Sequence, residues 1–155
     1  MRPVQEWFDE YGESHRNHLN KLVHWICVPL IVFSVVGLLW AVPVPASWRG
    51  VSPLFNFGTL LVVAAVAYYF LLSTPLALGM AIVAAVILAV LTWLETLAIP
   101  VWQVAAAIFV FAWIGQFIGH IFEGRRPSFF KDVQFLLIGP IWLLAAVYRS
   151  LRVPH

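Results

Sequence analysis

Residues 50–94 read GVSPLFNFGTLLVVAAVAYYFLLSTPLALGMAIVAAVILAVLTWL, a stretch without a single Asp, Glu, Lys or Arg. A water-soluble core does not need so long an uncharged run. Membrane-crossing helices do, because each charge at mid-bilayer costs about 2.5–3.5 kcal/mol on insertion scales. Inside the stretch, Ser73-Thr74 separates two apolar runs, Leu54–Leu72 and Pro75–Leu94. Proline is tolerated in the first turn of a helix, so Pro75 opens the second run, and the two form a tight helical hairpin.

Outward from the hairpin the pattern repeats. Val23–Val42 precedes it and ends at Pro43-Val44-Pro45; Val101–Phe122 follows a short break at Glu95–Pro100. Each run is close to the roughly 20 residues needed to cross about 30 Å of hydrocarbon. A last apolar run, Phe135–Tyr148, contains Gly139-Pro140; at about 1.5 Å per residue it reaches only ~21 Å, and is expected as a short embedded segment or a fifth helix. The expected fold is therefore all-α, a polytopic transmembrane bundle of four to five helices. It forms one membrane domain over residues 1–155, with spans at about 23–42, 54–72, 75–94 and 101–122 and a polar N-terminal segment over 1–22. Composition agrees, with 63% hydrophobic and 10% charged residues, against about 25% charged in an ordinary soluble domain. Trp7, Trp25, Trp40, Trp48, Trp93 and Trp102 stand near the ends of apolar runs and read as interfacial anchors, with core packing as the alternative.

Lys and Arg set the orientation. With four spans, Arg2, Arg16, Lys21, Arg125, Arg126, Lys131, Arg149 and Arg152 share one side and Arg49 has the other; with five, Arg149 and Arg152 change sides. Both counts place the N-terminus in the cytoplasm, and both bring residues 1–24 and 116–131 to the same face. The first 22 residues carry Glu6, Asp9, Glu10 and Glu13 and no apolar core, so no cleavable signal peptide is expected. A net charge of +2 gives no reason to expect a nucleic-acid partner. The one cysteine, Cys27, excludes an intramolecular disulfide and a Cys-rich zinc site, and in its apolar surroundings reads as packing.

The chemistry-bearing residues collect on the shared face. His15, His24, His120 and Glu123 are the ionisable groups nearest the membrane there, and such groups are costly to bury without a purpose. Gln116, His120 and Glu123 fall at i, i+4 and i+7, on one helix stripe. His120 and Glu123 have the spacing by which an imidazole and a carboxylate approach one metal. Asn20 and His24 likewise share a face. His15 and His24, nine apart, would diverge on a straight helix, so a common site requires a break between them, with Asn17 or Asn20 as the N-cap. Imidazole plus carboxylate without thiolate suits Fe(II), Mn or Zn. At the membrane face such a site suits an amphiphile whose head meets the metal and whose chain lies among the helices. Arg125 and Arg126 read either as a clamp for a carboxylate head group or as a positive-inside anchor.

Two stretches then resemble a known family. Residues 11–29, YGESHRNHLNKLVHWICVP, follow the pattern Y-x3-H-x4-N-x3-H-x4-P, and residues 116–127 read QFIGHIFEGRRP. Both are similar to the family of small membrane proteins that includes the 2-hydroxy fatty acid dioxygenase of phytosphingosine degradation, over roughly residues 7–42 and 113–148. The resemblance implies an Fe(II)-dependent α-oxidation, in which a 2-hydroxy fatty acid and O2 give the acid one carbon shorter. It implies His15, His24 and His120 as metal ligands and Glu123 as a ligand or a supporting group. Asn20 and Gln116, each one turn before a ligand, would orient it, and His18 has no counterpart in the pattern. The HxxxH and HxxHH boxes of membrane desaturases are missing. Competing classes are a lipid-binding or scaffolding membrane protein with a structural His/Glu cluster, a proton-coupled carrier, and a b-type haem protein. The uncharged middle of the chain disfavours the carrier.

Overall fold

The computed structural model describes residues 3–13, 15–124 and 129–154, the side chains of Arg49 and of residues 129–134 excepted. Among the described residues all regular structure is helical: α1 (Val4–Glu13), α2 (His18–Trp40), α3 (Ala46–Val51), α4 (Phe57–Leu72), α5 (Thr74–Leu94), α6 (Val101–Glu123) and α7 (Phe129–Ser150). Helices α2, α5 and α6 are long and apolar enough to cross a membrane, and α4 is a shorter apolar helix. The protein is an all-α membrane helix bundle.

The surface makes the same point. Leu60 and Val63 on α4, Leu78, Ile82 and Val86 on α5, and Phe111, Ile114 and Ile121 on α6 are all exposed. Large apolar side chains lining several neighbouring helices would be an aggregation hazard in water; against lipid tails they need no cover. Within the bundle, close packing depends on small residues, as it must where lipid competes with side chains for apolar contact. Helices α2 and α6 share the largest interface. Along it Ala105, Ala112 and Gly119 recur every seven residues and are buried. A Cβ on Gly115 would lie 2.5 Å from Cys27 Sγ, and one on Gly119 would lie 2.6 Å from Asn20 Oδ1. Gly115 and Gly119 form a GxxxG pair, and Cys27 packs against it as a small apolar residue.

Sequence expectation and structure differ at several termini. The first long helix begins at His18 rather than Val23, because Asn17 caps it: the Asn17 side chain accepts from Leu19 N at 2.8 Å and Asn20 N at 3.4 Å. The amphipathic helix α1 occupies part of the expected polar N-terminal segment. It buries Phe8 and Tyr11 and directs Gln5, Glu6 and Asp9 outward. Trp40 is no interfacial anchor: it is 1% exposed, and its Nε1 donates to Glu95 Oε1 at 2.8 Å. Trp25, Trp48, Trp93 and Trp102 are exposed, as anchors should be. Helix α7 extends beyond the apolar run at both ends.

The placement of α7 matters for the site. Tyr69 Oη donates to Leu137 O at 2.8 Å and Tyr148 Oη to Pro75 O at 3.2 Å. Tyr69 and Pro75 flank the same α4–α5 turn, whereas Leu137 and Tyr148 lie three turns apart, about 16 Å along α7. Helix α7 therefore runs obliquely over that end of the hairpin, and α1 packs on it. Pro140 donates no hydrogen bond, which leaves the Leu136 carbonyl without its usual helical partner. Tyr69 bonds the neighbouring carbonyl, that of Leu137, and so ties α7 to α4 beside this break.

Candidate metal centre

His15, His24 and His120 come together where α2 begins and α6 ends. Each is buried, and one nitrogen from each ring lies within 4.8 Å of the others. The ring centroids of His15 and His24 are 4.1 Å apart, those of His24 and His120 5.3 Å, and those of His15 and His120 6.0 Å. The break the sequence requires between His15 and His24 falls at Asn17. It turns His15, which follows α1, back toward a ring nearly two turns inside α2.

The tautomers follow from the acceptors. His15 Nδ1 is 2.6 Å from Tyr11 O, and His24 Nδ1 is 2.9 Å from Asn20 O. A carbonyl oxygen only accepts, so both Nδ1 atoms carry the proton and each Nε2 keeps its lone pair. His15 Nε2 and His120 Nδ1 are buried without a hydrogen-bond partner. An unmet buried nitrogen costs about 1–3 kcal/mol, and two within one three-histidine cluster mark a place for a shared ligand. Burial holds the His15 imidazole below the ordinary histidine range, so at neutral pH it is an uncharged donor. Tyr11 stacks on His15 at 4.2 Å and fixes its plane. The ring set fits a divalent transition metal held by imidazoles, with backbone carbonyls as the outer partners that such ligands usually have.

Glu123 stands apart from the three rings. Its carboxylate accepts from Arg16 N at 2.9 Å, Asn17 N at 3.0 Å and Asn20 Nδ2 at 2.9 Å, tying the end of α6 to the first turn of α2. A carboxylate there also suits the positive end of the α2 dipole. Asn20 thus contributes its carbonyl to His24 and its amide to Glu123. Gly124 ends α6 in the left-handed region, φ 69°, where glycine alone escapes a steric penalty. If Glu123 is a clamp, Glu123→Ala should weaken binding of a divalent metal by about 10–100-fold, the usual cost of a lost supporting contact, with full occupancy recovered at saturating metal and substantially restored affinity in Glu123→Gln. Loss of stoichiometric metal at saturation, measured by metal analysis, would make it a ligand instead.

A cavity of about 50 Å³ adjoins the rings, lined among others by Tyr11, Val28, Trp113, Phe135, Leu136 and Gly139. Gln116 lines it too, one turn before His120, with its Oε1 buried and unpartnered; Trp113 Nε1 is likewise buried and unpartnered. Trp113 was legible as a candidate, since it lies three residues before Gln116 and seven before His120, but among eight tryptophans it gave no separate signal. Arg125 and Arg126 lie outside the described residues, as does His155; His18 is exposed at the start of α2.

A bundle of apolar helices that closes over three imidazoles defines a membrane-embedded protein with a candidate metal site at one end. The family model described as "2-hydroxy-palmitic acid dioxygenase Mpo1-like" matches residues 1–151. The chain belongs to this Mpo1-like family. It is 30% identical over 136 residues to the 2-hydroxy-palmitic acid dioxygenase MPO1 of Saccharomyces cerevisiae, an alignment covering 86% of this chain and 73% of the yeast protein. No solved structure matches the chain at a significant level.

Proposed function

We propose that this protein is an Fe(II)-dependent membrane dioxygenase that converts 2-hydroxy fatty acids and O2 to the acid one carbon shorter. The observation that carries the reading is the buried three-histidine cluster with unpartnered ring nitrogens beside a cavity. The relative's name supports the substrate class. Written with carbon dioxide and water as the other products, the reaction balances in atoms and electrons and calls for no external reductant.

His15, His24 and His120 would hold the iron, which when bound supplies the one-electron chemistry that O2 requires. The protein's own part is positioning. The carbonyls of Tyr11 and Asn20 aim the His15 and His24 rings, and Glu123 holds together α2 and α6, which carry His24 and His120. Gln116 and Trp113 offer buried polar atoms to the hydroxyl and carboxylate of the head group, whose binding would give those atoms the hydrogen bonds that no group among the described residues supplies. Arg125 and Arg126 are a further proposed contact for the carboxylate. The apolar wall of Phe135, Leu136 and Val28 keeps bulk water from the reacting carbon. The excess of Lys and Arg on the site face supports a cytoplasmic site and N-terminus.

The direct test loads detergent-purified protein anaerobically with Fe(II), adds 2-hydroxypalmitate and O2, and follows the shortened acid by mass spectrometry. Chelator-sensitive product is expected. A fully iron-loaded protein that leaves the hydroxy acid intact would refute the reading.

A further inference from the structure

The cavity beside the histidines does not end at its inner wall. Leu136, which closes it, also lines a second space of about 80 Å³ between α2, α4, α5 and α7. That space is almost wholly apolar and is bounded by Val36 on α2, Val62 and Ala65 on α4, and Ile87 on α5. A third space of about 220 Å³ shares Val32, Met80, Val83, Ile87 and Pro140 with it, and shares Val28 with the histidine cavity. The three therefore adjoin, parted from the histidine cavity only by two aliphatic side chains, Leu136 and Val28, whose rotation would join them.

We infer that this apolar slot holds the acyl chain of the substrate, and that Val62 and Ala65 on α4 set the chain length accepted. The inference rests on the proposed dioxygenase reading for the identity of the head group, and on geometry for the rest. The slot runs from the histidines toward the far side of the membrane: α2 rises about 18 Å between His24 and Val36, the reach of a long acyl chain rather than of a short hydroxy acid. Below Val36 and Val62 the packed cluster with Trp40, Leu91 and Leu94 closes it, so the slot has a floor. The one polar group facing it from α4, Tyr69 Oη, is committed to Leu137 O. The α4 wall therefore offers an alkyl chain no unmet donor. The opening between α2, α5 and α7 passes Val83, which is exposed to the lipid side, so a chain can enter sideways from the bilayer.

The test uses full-length protein in lipid nanodiscs and 2-hydroxyhexadecanoic acid carrying a diazirine at its terminal carbon. Photolysis followed by residue-level peptide mapping should label Leu61, Val62 or Ala65 on α4 or Ile87 on α5, and excess unlabelled hydroxy acid should suppress it. In parallel, Ala65→Phe should move the preferred substrate to shorter chains, changing the short-to-long turnover ratio at least tenfold with iron content unchanged. Label confined to lipid-facing residues such as Leu60, Val63 and Ile82 would overturn the slot, as would slot labelling suppressed by added phospholipid rather than by the hydroxy acid. Competed labelling of the slot in a fully iron-loaded protein without turnover would uphold the slot and refute the dioxygenase reading. Turnover with label elsewhere would do the reverse. Because the labelling is read on the unmutated protein, a variant that fails to fold does not decide the question.

Discussion

His24→Ala should abolish iron binding and turnover together. The ring is 2% exposed, its Nδ1 is committed to the Asn20 carbonyl, and its other nitrogen points among the three-histidine set. Loss of a partner behind a metal ligand costs about 10–100-fold in affinity or activity, and loss of the ligand itself should exceed that range. The helix should survive, because alanine is a better helix former than histidine and Asn20 O lies in the turn where the backbone N–H of residue 24 also donates. Iron stoichiometry by metal analysis, with the helix content followed by circular dichroism, separates the two effects. His18→Ala serves as the control, since that ring is exposed at the start of α2 and should leave both quantities unchanged. Undiminished iron in a folded His24→Ala protein would rule out the ligand assignment.

Much of this architecture is legible in the residues, for a physical reason. A bilayer forbids charge over a fixed thickness, so the uncharged stretch at 50–94 fixes a hairpin, and the histidines must sit at its margins. The i, i+4, i+7 stripe of Gln116, His120 and Glu123 is equally readable, because helix periodicity is local. The functions of those residues are less so. Sequence spacing makes Glu123 look like a partner for His120, yet its carboxylate faces the N-terminal amides at Arg16 and Asn17, more than a hundred positions away. Nothing local announces such a contact. Trp40 illustrates the same limit: a tryptophan at the end of an apolar run is anchor or core according to whether a distant acceptor, here Glu95, reaches its indole. The walls that α7 adds to the site depend on how that helix crosses the bundle, which no periodicity encodes. The exposed stripes on α4 and α5 show the converse problem, since in helices apolar all round, lipid-facing and core-facing positions look alike.

The α2–α6 seam carries the second large effect, and it was readable yet easily passed over, since GQFIG at 115–119 sits inside a motif that draws attention to His120. A side chain at Gly119 begins 2.6 Å from Asn20 Oδ1 and 3.1 Å from Val23 Cγ1. Asn20 is fully buried, so it has little room to withdraw, and it bonds to both Glu123 and His24. Gly119→Leu must therefore push α2 from α6 at the level of the histidines. Overpacking of this kind costs roughly 1–3 kcal/mol, and here the displacement also parts His24 from His120. The expected result is a melting temperature in detergent lower by several degrees, together with weaker iron binding. Gly50→Ala provides the comparison, because a Cβ there meets nothing within 4 Å and should be close to neutral. If Gly119→Leu lowered the melting temperature and kept full iron affinity, the seam would serve stability alone. Unchanged melting and unchanged iron would mean that the two helices do not approach as closely as the small-residue repeat requires. The predicted loss of both would show that the packing that holds this bundle together in lipid also sets the spacing of its metal ligands.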